Sequence, residues 1–132
     1  MSVTKTQLKA FQDKDSRIQS ELISLDSFLA EFSNLEDGYK YEWNHGIVEK
    51  TKAMNQEQTT IYLLLNRLFC QTQAFKEMGG LTAETDMMTS EHQLRRPDIA
   101  FFSGEQIQKM KKGENQLAEW VAEIISESDN IK

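Results

Sequence analysis

With one cysteine, Cys70, the chain has no means of forming an internal disulfide, so nothing in it asks for an oxidising compartment and a cytoplasmic setting is expected. One proline, Pro97, and six glycines exclude collagen-like and proline-rich low-complexity architectures. No apolar run approaches the ~20 residues that span a bilayer. The charged stretch from Met1 to Arg17 has neither an apolar signal core nor a cleavage site, so no membrane partner is expected. Positive charge is in deficit, with 15 Lys and Arg against 21 Asp and Glu. The resulting net charge of −6 opposes long-range attraction to nucleic acid, so any DNA contact has to be local.

What is present suits one globular domain. A chain of 132 residues that is 39% hydrophobic can bury one modest core. Residues 1–22 show only a weak helical pattern (Leu8, Phe11, Ile18) and are read as a polar arm or exposed helix. Residues 23–132 form the expected domain. Leu25, Phe28, Leu29 and Phe32 fall at i, i+3, i+4 and i+7, with Ser24 placed to cap and Asp26 in the first turn, which predicts a short amphipathic helix. Tyr39 to Trp43 alternate aromatic and charged residues, and Asn44-His45-Gly46 offers a tight turn before Ile47-Val48, which predicts a hairpin. Ile61, Leu64, Leu65, Leu68 and Phe69 predict the longest helix, expected at the centre of the core with Cys70 buried on it; Gly79-Gly80 marks a stop. Leu81 to Met88, Asp98 to Phe102 and Trp120 to Ile125 read as strands, and Gly104 to Lys112 as a short polar helix. The sum is an α/β fold, a mixed β-sheet flanked by helices.

Two acidic residues interrupt apolar runs: Asp98 stands directly before Ile-Ala-Phe-Phe, and Glu123 lies between Val-Ala and Ile-Ile. Burying an unpaired carboxylate costs several kcal/mol or forces it to take up a proton, so each of these needs a metal, a cation or a hydrogen-bond donor. On neighbouring strands the pair would suit Mg²⁺, which takes one or two carboxylates and completes its shell with water and phosphate oxygens. The plainer reading also stands: Asp98 could accept turn amides or pair with Arg95 or Arg96, and Glu123 could form a salt bridge at a strand edge. Lys109, Lys111 and Lys112 read as a solvated helix end. His45 and His92 are far apart in the sequence and lack zinc-ligand spacing, so zinc chemistry is not expected, nor is thiol chemistry at Cys70.

Three segments appear in a telling order: Tyr41-Glu42-Trp43-Asn44-His45-Gly46, then Arg96-Pro97-Asp98-Ile99, then Val121-Ala122-Glu123-Ile124-Ile125-Ser126-Glu127-Ser128. Together they resemble the Uma-type restriction endonuclease family, a branch of the PD-(D/E)XK nucleases, over Ile23 to Lys132. The family pattern is an early Tyr-Glu-x-x-Asp-Gly, a central Arg-Pro-Asp and a later Glu followed by two hydrophobics and Ser-Pro-Ser. The resemblance implies a restriction-endonuclease-like core and a Mg²⁺ (or Mn²⁺)-dependent endonuclease. It further implies Asp98 and Glu123 as catalytic metal ligands, Glu42 as a supporting catalytic acid and DNA as substrate. Arg95 and Arg96, beside Asp98, are the candidate substrate-binding residues. His45 stands where the family has aspartate, Glu127 where it has proline, and Ile125 where the superfamily usually places its catalytic lysine, leaving Lys132 as the one candidate. A last helix and strand are expected to be missing, and a homodimer is one way to cover the apolar surface they would leave. The alternative function is an inactive nuclease-fold remnant acting as a binding or dimerisation module.

Overall fold

The computed structural model describes residues 21–125. The arm expected over 1–22 therefore lies almost wholly outside the described residues, as do Ser126, Glu127, Ser128 and Lys132. The described residues form two compact units, one of 21–53 with Asp86–Arg96 and the other of Met54–Thr85 with 97–125.

The first unit opens with α1 (Leu25–Phe32), where the Ser24 side chain accepts the Ser27 N–H at 3.1 Å and so satisfies one of the helix's orphan donors. β1 (Tyr39–Asn44) and β2 (Ile47–Lys52) pair in continuous antiparallel register from Tyr39↔Lys52 to Asn44↔Ile47. Between them His45 (φ +49°) and Gly46 (φ +84°) both take the left-handed conformation, which matches the right-handed twist of the strands in a two-residue hairpin turn. β4 (Met87–Ser90) and β5 (Gln93–Arg95) complete an antiparallel sheet in the order β2-β1-β5-β4. Phe28, Phe32, Tyr41, Trp43, Val48 and Leu94 make its core. Phe28 and Phe32 are fully buried, each contributing roughly 1.5–3 kcal/mol of apolar transfer. The Trp43 indole N–H donates to the Ile23 carbonyl at 3.0 Å, so the one polar atom of that buried ring is satisfied.

The second unit holds α2 (Gln56–Phe69), α3 (Gln73–Lys76), α4 (Gly104–Lys111) and an antiparallel sheet β3-β6-β7 formed by Gly80–Ala83, Ile99–Phe102 and Trp120–Ala122. All four residues of the central strand β6 are buried, which explains why it reads as an unbroken apolar run. Phe69, Leu81, Ile99 and Phe101 form the core here, with Tyr62 and Leu65 packed against it. Close packing also fixes the start of α4, since a Cβ on Gly104 would lie 2.5 Å from the Glu77 carbonyl oxygen.

The α/β class with helices flanking antiparallel sheets holds, but several elements depart from expectation. The run Leu81 to Met88 is two strands, β3 and β4, belonging to different sheets. Glu84, at φ +50°, breaks the extended backbone between them. β5, three residues long, is too short to show a period and was not expected. α2 is not the centre of the core: Tyr62, Leu65 and Phe69 face inward, whereas Ile61, Leu64 and Leu68 are 45%, 54% and 63% exposed. Two sets at helical spacing coexist on this helix, and the leucine-richer one lies outward. Cys70 is exposed at the C-cap of α2 rather than buried.

Candidate active site

The second unit brings Asp98 and Glu123 to one end of its sheet. The last paired rung runs Ala83↔Ile99↔Ala122, and one residue beyond it stand Glu84, Asp98 and Glu123. That register sets all three acids at the same end of the sheet. Pro97 sets the entry to β6, and Asp98 is only 6% exposed. Its carboxylate accepts the Ile124 N–H at 2.8 Å, and its carbonyl accepts the Glu84 N–H at 3.1 Å.

Ile124 is held from the other side as well. The Gln58 side-chain amide donates to the Ile124 carbonyl at 3.2 Å, while the Gln58 Oε1 accepts the Asn55 N–H at 3.0 Å in the capping box of α2. Both backbone groups of the residue after Glu123 are thus fixed, one by Asp98 and one by the first turn of α2. Glu123 itself is exposed. Its apolar neighbours suggested burial, but β7 is an edge strand on which Trp120 and Val121 are also 42% and 47% exposed. Glu84, on the same rung, was not singled out from the sequence; its carboxylate accepts the Met54 N–H at 2.7 Å. An acid in the middle of a predicted strand was the available signal. Among the described residues no three His, Cys, Asp or Glu side chains are grouped so as to hold a metal ion.

The remaining predicted residues lie in the first unit, around the backbone of Arg96. Glu42 accepts the Arg96 N–H at 2.9 Å, and Lys40 donates to the Arg96 carbonyl at 3.0 Å. The Arg96 guanidinium pairs with both oxygens of Asp86, at 2.6 and 3.0 Å, and donates to the Ser33 carbonyl at 3.2 Å. Arg95 pairs with Glu49 at 2.7 Å. Lys40 is 6% exposed and Glu42 half-buried, so the charged positions of β1 do not form the solvated face that their alternation suggests. The peptide leading into Pro97 and Asp98 is thereby pinned on both of its hydrogen-bonding groups.

A strand-entry aspartate held by a neighbouring strand, preceded by a fixed Arg-Pro and followed later by an edge-strand glutamate, is an arrangement a whole-chain pattern can test. The family model described as "Uma2: Putative restriction endonuclease" matches residues 29–132. The chain belongs to the Uma2 family. All three segments carrying the resemblance fall inside the match, and the α/β build with antiparallel sheets and flanking helices is that of a restriction-endonuclease-like fold. No curated protein and no solved structure matches the chain. Among the described residues no helix is long and apolar enough to cross a membrane.

The side chains at this Uma2 site are of the type a hard divalent cation takes. A carboxylate has about four acceptor positions, and at Asp98 the Ile124 amide engages at least one of them. Two carboxylates at one end of a sheet, one buried and one exposed, are of the kind taken by an ion that keeps several water ligands.

Proposed function

We propose that this Uma2 chain is a Mg²⁺ (or Mn²⁺)-dependent endonuclease that hydrolyses DNA phosphodiester bonds, with Asp98 and Glu123 as the metal-binding catalytic pair. The single observation that carries the reading is the 2.8 Å hydrogen bond from the Ile124 N–H to the Asp98 carboxylate, which ties the strand bearing one acid to the strand bearing the other. Family membership supplies the substrate class and the expectation of a divalent metal. When bound, that ion would polarise a phosphoryl oxygen and lower the pKa of a coordinated water.

The chain's own residues do the positioning. Asp98, buried and hydrogen-bonded to the Ile124 N–H, supplies one carboxylate ligand. Glu123, on the open side of the edge strand, supplies the second charge where a DNA strand can approach. Glu42 acts at one remove, holding the Arg96 amide and so the peptide that precedes Pro97 and Asp98. The proposed substrate-binding residues are Arg95, 31% exposed and paired with Glu49, and Arg96, paired with Asp86 through two hydrogen bonds. A DNA-cutting enzyme of this kind would work in the cytoplasm, in keeping with its lone cysteine.

The test is cleavage of an end-labelled duplex during Mg²⁺ titration. Asp98→Asn and Glu123→Gln should each lower the rate by about a hundredfold or more, the scale of removing one preorganised electrostatic group from a catalytic site. Cleavage that persists in chelator, or in both variants, overturns the reading. A second reading, a module that associates rather than cleaves, draws on the half-exposed Ile61, Leu64 and Leu68 of α2. It predicts a concentration-dependent mass in sedimentation together with no Mg²⁺-dependent cleavage.

A further inference from the structure

The structure joins two residues that their sequence separation kept apart. β1 pairs with β5 through Trp43↔Leu94 and Asn44↔Gln93, and the next step along that ladder is His45 beside His92. The His45 N–H donates to the His92 carbonyl at 2.7 Å, and the Gln93 side-chain amide donates to the Asn44 Oδ1 at 2.9 Å, so both backbones are fixed by direct cross-strand bonds. The two imidazoles are exposed and stacked, their ring centroids 5.4 Å apart and their planes inclined by 30°.

We propose that His45 and His92 form a surface site for one late first-row divalent transition ion, of the Zn²⁺, Ni²⁺ or Cu²⁺ class, distinct from the Asp98–Glu123 pair. The argument is geometric. A metal–imidazole bond of about 2.0–2.1 Å, with the ring centre about 1.1 Å behind the nitrogen, places an ion roughly 3.2 Å from each centroid; at a tetrahedral angle the two centroids then lie about 5 Å apart. The observed 5.4 Å is within the reach of side-chain rotations that exposed residues make in picoseconds to nanoseconds. Imidazole nitrogen suits this class of ion, whereas Mg²⁺ prefers oxygen, so excess Mg²⁺ should fill the carboxylate pair and leave the imidazoles to the transition ion. With two protein ligands the remaining positions are open to water or to a donor from outside the chain. The turn itself does not require histidine at position 45: its left-handed φ is met as well by asparagine or aspartate.

That last point supplies the variant. Ni²⁺ binding to the full chain is measured by titration calorimetry for the wild type, His45→Asn, His92→Asn and Asp98→Ala. One Ni²⁺ per chain is expected to bind the wild type and Asp98→Ala alike, and about tenfold or more weakly in either histidine variant, with Mg²⁺ in excess failing to displace it. His45→Asn keeps the hairpin turn, and its circular dichroism checks the fold. Unchanged Ni²⁺ affinity in both histidine variants, or its loss in Asp98→Ala, overturns the proposal. Should a variant not fold, Cu²⁺ electron paramagnetic resonance of the wild type decides: hyperfine coupling to two imidazole nitrogens supports the site, and an oxygen-only signal sinks it. Neither result bears on DNA cleavage, so this site and the nuclease reading fail independently.

Discussion

At the scale of single residues, the two acids of the candidate site differ in what they do for the fold. Asp98 is buried and accepts the Ile124 N–H, so Asp98→Ala leaves a donor without its partner and should cost about 1–3 kcal/mol of stability as well as activity. Glu123 is exposed one residue past β7, and Glu123→Gln should cost less stability than Asp98→Ala while removing activity and the stabilisation conferred by Mg²⁺. Thermal melts with and without Mg²⁺ separate the two; a Mg²⁺-induced rise in midpoint that survives in Glu123→Gln contradicts its role as a ligand. Gln58 offers a subtler probe. Gln58→Glu keeps the acceptor that Asn55 uses but removes the donor to the Ile124 carbonyl. It should therefore weaken Mg²⁺ affinity, on the roughly 10–100-fold scale of lost supporting contacts, with a small change in helix stability. Equal Mg²⁺ midpoints for Gln58→Glu and wild type would show that Ile124 needs no second tether.

At the scale of elements, local signals were strong wherever one period and one terminator coincided. Ser24 before Leu25, Phe28 and Phe32 gave α1, and Asn44-His45-Gly46 gave the β1–β2 turn, because caps and turns are chemistry of a few adjacent residues. The burial of Asp98 was legible for a similar reason, since a charge directly before an apolar run is conspicuous, whereas Glu123, flanked in the same way, is exposed. The failures share a cause, which is that tertiary partners choose between locally equivalent options. α2 carries two apolar stripes, and only the packed structure selects Tyr62, Leu65 and Phe69 over Ile61, Leu64 and Leu68. Leu65→Ala should consequently cost about 2–4 kcal/mol, and Leu64→Gln close to nothing, in urea denaturation at constant m-value. Comparable losses for both would mean that the outward stripe is covered in solution. The clamp on Arg96 by Glu42 and Lys40 was invisible for the same reason, since residues 54 and 56 positions apart meet only through the β1–β5 pairing.

At the scale of the whole molecule, the acidic balance sets how a nuclease of this kind can hold its substrate. A net charge of −6 repels a polyanion at long range, and the two arginines nearest Asp98 in the sequence are already paired with Glu49 and Asp86. The basic end of α4, with Lys109, Lys111 and the following Lys112, is exposed, yet Lys109 lies 3.3 Å from Glu105. On the proposed reading few of these cations are left for phosphates, and the proposed divalent ion at Asp98 and Glu123 would offset part of the repulsion. Each phosphate contact contributes about −0.9 to the slope of log affinity against log salt, so two or three contacts predict a slope of about −1.8 to −2.7. Affinity should then fall about 10–40-fold between 50 and 200 mM salt. Fluorescence anisotropy of a labelled duplex measures this, with Ca²⁺ replacing Mg²⁺ as the oxygen-seeking cation so that the strand remains whole. Affinity should drop further in chelator, because removing the ion restores two bare carboxylates beside the backbone. A slope near −6, or binding indifferent to the divalent ion, would require a broad basic surface that the charge balance of this chain argues against.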